Sequence, residues 1–307
     1  MSKAKIIVGD VRTAMQLIPD QSVQTCITSP PYWGLRDYGK GDQIGLEETP
    51  EQYVDQMVQV FREVWRALKD DGTLWLNIGD SYAGNMSRAS NNGRAGFGSE
   101  REGVFSRMPD GLKPKDLIGI PWRLAFALQA DGWYLRQDII WAKPNPMPES
   151  VTDRCTKSHE YVFLLSKSRQ YFYDHEAIKE PAIYAGDDRG ARTDSRRNTK
   201  MNSMSGVTGE TKNKRDVWTV ATKPYKGAHF AVMPEALVEP CILAGSAAGD
   251  TVLDPFTGSG TVGMVALRHN RNFVGTELNP DYAELAVNRI YNDAPLLNEI
   301  EKELANG

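Results

Sequence analysis

The chain has 307 residues, 40% of them apolar, enough to bury one large α/β core, or a core with one smaller module. Its three cysteines, Cys26, Cys155 and Cys241, lie far apart with no CxxC pair, which argues against a disulfide framework or a zinc site, so no metal is expected. The net charge is −4, and no apolar run approaches the roughly 20 residues that span a bilayer; MSKAKIIVGD enters strand-like sequence directly instead of a signal peptide, so a soluble, cytoplasmic protein is expected.

Residues 5–10 predict a short buried strand that stops at Gly9-Asp10, and residues 23–28 a second that stops at Ser29-Pro30-Pro31-Tyr32. Over residues 51–69 the apolar positions Tyr53, Met57, Val58, Phe61, Val64, Trp65 and Leu68 form a helical stripe. It ends at Asp70-Asp71-Gly72, and a strand follows over 73–78. Residues 83–107 are rich in Gly, Ser, Asn and Arg and lack periodicity. They are too long for an ordinary connection, and between 84 and 115 Arg88, Arg94, Arg101, Arg107, Lys113 and Lys115 outnumber the acids.

A helix is predicted from Pro121 to Gln129, then strands over 134–141 and 161–165. The proline-broken Lys143-Pro-Asn-Pro-Met-Pro148 between them is confined to loop. Residues 185–215 are polar and cannot build a core of their own, and the region 189–226 is dense in Arg and Lys. From Phe230 the pattern reads helix, strand (251–254), glycine-rich turn, helix (261–269), strand (272–277), helix (280–291), a βαβ unit.

The turn Asp254-Pro-Phe-Thr-Gly-Ser-Gly-Thr-Val-Gly263 lets backbone N–H groups at a helix N-terminus approach a ligand. Gly258, Gly260 and Gly263 satisfy GxGxxG, and Glu277 at the end of the next strand stands where a ribose-binding acid belongs, so a dinucleotide site is the obvious rival. Asp254 argues against it, because a carboxylate just before the glycines repels a pyrophosphate and favours a cationic ligand. S-adenosylmethionine, with a sulfonium, an α-amino group and ribose hydroxyls but no phosphate, meets both requirements.

With Ile27-Thr-Ser-Pro-Pro-Tyr-Trp33 and Asp254-Pro-Phe-Thr-Gly-Ser-Gly-Thr261 both present, the chain resembles the amino-group DNA methyltransferases of the N4-cytosine/N6-adenine type. The motif order, catalytic loop first and cofactor turn last, is similar to their β class. Stretches 132–145, 159–167 and 229–237 extend the match over most of the chain outside the two basic segments.

The resemblance implies an α/β, Rossmann-like S-adenosylmethionine-dependent methyltransferase fold, a mostly parallel sheet with helices on both faces. Residues 1–178 and 227–307 are the catalytic and cofactor-binding portions of one domain, and residues 179–226 an inserted target-recognition region. It further implies that Asp254, Phe256, Thr257, Gly258 and Gly260 surround the methionine part of the cofactor, that Glu277 holds the ribose and that Asp10 meets the adenine. Phe230 and Pro234 belong to the stretch that closes over the methionine end. Arg189, Arg192, Arg196, Arg197, Lys212, Lys214 and Arg215 are the expected DNA contacts, to phosphates or guanine edges. Segment 83–115 is expected to be mobile and to close on the duplex.

An exocyclic amino nitrogen is a poor nucleophile because its lone pair is delocalised into the ring. Ser29 Oγ and the Pro30 carbonyl, accepting from the amino hydrogens, favour a pyramidal nitrogen aimed at the methyl carbon. Pro30 and Pro31 stiffen the loop, and Tyr32 is expected to stack on a base flipped out of double-stranded DNA. Cytosine C5 methylation needs a Pro-Cys nucleophile; Pro240-Cys241 lies in an apolar run and reads as buried helix.

Within the family a leading Ser resembles the cytosine-N4 enzymes and a leading Asp or Asn the adenine-N6 enzymes, so Ser29 favours cytosine N4, with adenine N6 as the alternative. An RNA or protein-glutamine methyltransferase and a catalytically silent DNA-binding scaffold are the other readings that stay open. The resemblance allows a homodimer, and a restriction endonuclease partner would be another chain.

Overall fold

The computed structural model describes residues 2–34, 43–83, 111–182, 210–222, 232–293 and 298–305. In chain order the elements are β1 (Ser2–Val8), α1 (Val11–Ala14), β2 (Val23–Thr28), α2 (Pro50–Ala67), β3 (Leu68–Ile78), α3 (Ile120–Ala130), β4 (Tyr134–Ala142), β5 (His159–Ser166), β6 (Glu180–Pro181), β7 (Thr211–Lys212), β8 (Val217–Thr219), α4 (Glu235–Gly245), β9 (Thr251–Asp254), α5 (Thr261–Arg268), β10 (Asn272–Glu277), α6 (Pro280–Asp293) and β11 (Asn298–Leu304).

Nine strands form one sheet in the order β11-β1-β10-β9-β2-β3-β5-β4-β8. Every neighbouring pair is parallel except the two made by β5, which runs against both β3 and β4. The N-terminal half of the chain meets the C-terminal half where β2 pairs with β9, Thr25 beside Val252 and Cys26 beside Leu253. Such a crossover between chain halves opens a crevice at the carboxyl ends of the strands.

Strand residues alternate between two cores, as a period of two demands. Cys26, Leu74, Leu76, Phe163 and Leu165 pack toward α2 and α3. Ile27, Trp75, Val162 and Leu164 pack toward α4, α5 and α6 on the other face. All six residues of β2 are buried, as befits a central strand covered on both sides. Helix α2 starts with a capping box, Thr49 Oγ1 accepting from Gln52 N and Gln52 Oε1 from Thr49 N, with Pro50 in the first turn; a cap of this kind contributes about 1 kcal/mol.

Three details depart from the sequence reading. Helix α2 ends at Ala67, not Lys69, because Leu68 already pairs with Val23; an irregularity in the β2–β3 register takes up the residues before Thr73. Beyond the last predicted helix, the acidic segment Asn298–Leu304 forms edge strand β11 beside β1, where Lys3 and Lys5 meet Glu299 and Glu303. Its alternating charges hide a strand whose formation is set by its partner. Third, β8 lies inside the segment 179–226 yet extends the main sheet next to β4, and Trp218 is buried against Trp75. A polar segment thus contributes one large apolar anchor.

Of the long loop 83–115, residues 84–110 lie outside the described residues; its two ends are joined by Ala83 N to Asp116 O (2.8 Å) and Lys115 N to Ala83 O (2.6 Å). No helix among the described residues is long and apolar enough to cross a membrane.

Candidate active site

Parallel strands place their carboxyl ends on one edge of the sheet, and there β1 presents Asp10, β2 Ser29, β3 Gly79 and Asp80, β9 Asp254 and β10 Glu277. Because β5 runs the other way, its first residues, His159 and Glu160, reach the same edge, next to Lys143 at the end of β4. One cavity of about 920 Å³ is lined by all of these.

At the glycine-rich turn, Asp254 is buried, and its Oδ1 accepts from Thr28 Oγ1 (2.7 Å) and Phe256 N (3.0 Å). The Thr28 bond ties the end of β2 to the end of β9 across the crevice. Burial pushes the Asp254 carboxyl up to about 7, and neighbouring Glu277 adds to the shift. Glu277 is likewise raised by burial, while its oxygens accept from Gly258 N (2.8 Å) and Asn279 N (2.9 Å). The lysines that line the cavity are held elsewhere, Lys143 by Glu160 and Lys157 by the Asp80 carbonyl. Two carboxylates with no cationic side chain between them among the described residues suit a positively charged ligand and oppose a phosphate.

Phe256, Thr257 and Gly258 also line the cavity, but Gly260 does not. Gly260 opens α5 at φ +77°, and a Cβ there would lie 2.9 Å from that of Ala286, so its place is set by the close approach of α6. Pro234 is buried at the start of α4, and Val232 and Met233 beside it form the cavity wall. Phe230 lies outside the described residues. Asp10 lines the cavity with its carboxylate paired to Arg12 (2.6 Å), whose guanidinium keeps it below the usual range.

The loop after β2 is held from three sides. Tyr53 Oη donates to the Pro31 carbonyl (2.8 Å), Trp33 Nε1 to the Glu47 carbonyl (2.8 Å), and Gly34 N to the Gly45 carbonyl (2.8 Å). Tyr32 donates its hydroxyl to Glu160 Oε2 (2.7 Å), which Asn77 Nδ2 also approaches (3.2 Å). Burial, with the Glu160 carboxylate, holds the Tyr32 phenol well above its ordinary range, and its hydroxyl also interacts with Ser29. A continuous polar path therefore runs Ser29, Tyr32, Glu160, Lys143.

Glu160 and Lys143 were not singled out by the sequence, although both stand in stretches that carry the family resemblance. The direction of β5, the only cue to the position of Glu160, is not written in its own residues. Cys241 is buried within α4, its thiol pushed up by burial and donating to the Leu237 carbonyl (3.3 Å), as expected of a structural residue.

The Tyr32 ring rests against Gly79: a Cβ at position 79 would come within 2.8 Å of Tyr32 Cε2 and 3.2 Å of Glu160 Cγ. Gly79→Ala is expected to displace the ring and to lower methyl transfer to DNA by about 10- to 100-fold. Steady-state assays of the folded variant check this; unchanged kcat and KM would show that the ring position does not matter.

Of the expected DNA contacts, Lys212 and Arg215 flank Glu180 (3.4 and 2.6 Å), and Lys214 lies 5.0 Å from the centre of the Trp218 ring. They form a net positive group on the short β6–β7 ribbon and its exit. Arg189, Arg192, Arg196 and Arg197 lie outside the described residues.

This sheet, with helices on both faces and an acidic glycine-rich turn at its carboxyl edge, defines a Rossmann-like methyltransferase. The family model for DNA methylases of the N6/N4 type matches residues 23–288. Type II methyltransferase M.SmaI of Serratia marcescens is 53% identical over 94% of this chain and 91% of its own length, and M.Cfr9I of Citrobacter freundii 50% identical over 94% and 88%. The chain belongs to this family of DNA amino-methyltransferases.

Solved structures share the fold. PvuII DNA methyltransferase, cytosine-N4-specific, superposes with a TM-score of 0.65 at 18% identity, covering 98% of this chain and 95% of that one. A Thermus thermophilus protein, a putative DNA modification methylase solved with S-adenosyl-L-methionine, gives 0.62 at 24%, covering 98% of each.

Proposed function

We propose that this chain methylates the exocyclic N4 of cytosine in double-stranded DNA by base flipping and direct in-line transfer. The observation that carries the reading is that Ser29-Pro30-Pro31-Tyr32 and the Asp254 to Glu277 carboxylates open into one cavity. S-adenosylmethionine is the cofactor, and it supplies a methyl group made electrophilic by the sulfonium.

Phe256, Thr257, Gly258 and the Asp254 carboxylate hold its methionine part, Glu277 its ribose and Asp10 its adenine end. Gly260 and Pro234 act through packing. Ser29 Oγ and the Pro30 carbonyl accept from the amino hydrogens of the flipped base, since Tyr53 already engages the Pro31 carbonyl. Tyr32, protonated and anchored on Glu160, offers its ring to the base. Lys143 places a donor in the same cavity, which suits the carbonyl and ring nitrogen that cytosine carries beside its amino group.

Residues 179–226 form the target-recognition region, with Lys212, Lys214 and Arg215 among its DNA contacts. The protein acts in the cytoplasm, where its DNA substrate lies, alone or beside a separate restriction endonuclease. A homodimer is compatible with this reading.

Sequencing of modified bases in DNA from a host expressing the chain, with mass spectrometry of the nucleosides, tests base and site together. N4-methylcytosine at one short sequence is expected. N6-methyladenine without N4-methylcytosine would transfer the reading to adenine N6.

A further inference from the structure

The connection between β4 and β5 carries an apolar side chain that the chemistry above leaves unused. Met147 is 84% exposed, the highest value among the exposed large hydrophobic residues of the described chain, and it lies on the rim of the catalytic cavity beside Asn145, Pro146 and Glu149. A single exposed methionine on a mobile loop needs no explanation. This one is held rigidly. It stands between Pro146 and Pro148, with Pro144 just before, so three backbone φ angles around it are locked.

Both flanks are tied down as well. Asn145 exchanges two hydrogen bonds with the Thr222 backbone (2.9 and 3.1 Å), and Lys143 N bonds the Ser158 carbonyl (2.8 Å). The Glu149 carboxylate accepts from Arg154 Nη1 (2.7 Å) and Lys157 N (3.1 Å).

We infer that Met147 is a wedge: it enters the base stack of the duplex beside the target nucleotide and fills the space left when that nucleotide rotates into the cavity. The inference rests on the base-flipping reading and names the side chain that does its mechanical part. An unbranched thioether presents polarizable surface to base faces, and apolar side chains inserted between base steps are a general means of unstacking a duplex. The prolines hold the backbone beneath the side chain in place, so little backbone freedom is lost on insertion.

The test compares Met147→Ala and Met147→Leu with the parent protein on a duplex carrying the modified site. A second duplex lacks the pairing partner of the target base, and a third carries 2-aminopurine at the target position. On the paired duplex Met147→Ala is expected to lose about 10- to 100-fold in kcat/KM and to give a weaker 2-aminopurine signal, while Met147→Leu stays within about threefold of the parent. On the duplex without the partner base, where less must be broken to expose the target, Met147→Ala should come within about threefold of the parent. Equal activity of Met147→Ala and parent on the paired duplex, or the same loss on both duplexes, overturns the wedge. Absence of any 2-aminopurine signal with the parent overturns base flipping itself, and the wedge with it.

Discussion

Replacing Ser29 with alanine is expected to lower kcat for methyl transfer by about 100- to 1000-fold, the range seen when one preorganised polar contact to a reacting centre is removed. Cofactor affinity should change by less than about twofold, because Ser29 follows β2 whereas the carboxylates proposed to hold the cofactor stand on β9 and β10. The split separates two roles. If Ser29 localises the amino lone pair, the loss falls on the chemical step, and single-turnover rates carry all of it. A variant that transfers methyl groups at the parental rate would remove Ser29 from the mechanism. Loss confined to cofactor binding would reassign it to the turn that Thr28 bridges to Asp254.

The second large effect follows from Asp254. In the ligand-free protein its carboxyl sits near 7 because it is buried, against about 3.8 in the unfolded chain. As pH rises from about 4, the unfolded chain ionises this group while the folded one keeps its proton. The stability contributed by the protonated group is full below about 4 and is lost as pH climbs through 7, by up to roughly 4 kcal/mol.

A cationic cofactor needs the ionised form, so binding should release a proton and strengthen about 10-fold between pH 6 and pH 8. Calorimetry in buffers of different ionisation enthalpy measures the released proton directly. Asp254→Asn keeps an oxygen to accept from Thr28 and Phe256, so it should fold well and resist denaturation better than the parent at pH 8 without cofactor. It should bind cofactor about 10- to 100-fold more weakly, with no dependence on pH across this range. A parent protein whose cofactor affinity is flat from pH 6 to 8 would rule out this part of Asp254's role.

The glycine-rich turn illustrates how local and tertiary information divide. Asp254, the glycines and Glu277 are close in sequence, and the strand, turn, helix and strand around them form from local pattern alone. Gly260 shows the limit of that reading: it is part of the motif, yet its place depends on Ala286 of α6, which no local pattern names. The edge strand β11 shows another limit, since its charges meet Lys3 and Lys5 only once it lies beside β1.

By itself the sequence determined most of the strands and helices of the two halves, the Ser-Pro-Pro-Tyr and glycine-rich motifs and, from their order, the family. Each of these depends on neighbours within a few residues, where periodicity, proline and glycine act directly. Only the tertiary structure decided that β2 lies beside β9, which joins Thr28 to Asp254 across 226 positions. It also decided that β5 runs antiparallel, which carries Glu160 to Tyr32, and that a proline-stiffened connection holds Met147 at the rim of the cavity. Strand order and direction are chosen by how two hydrophobic faces are covered at once, a condition on the whole chain that no short stretch of it can express.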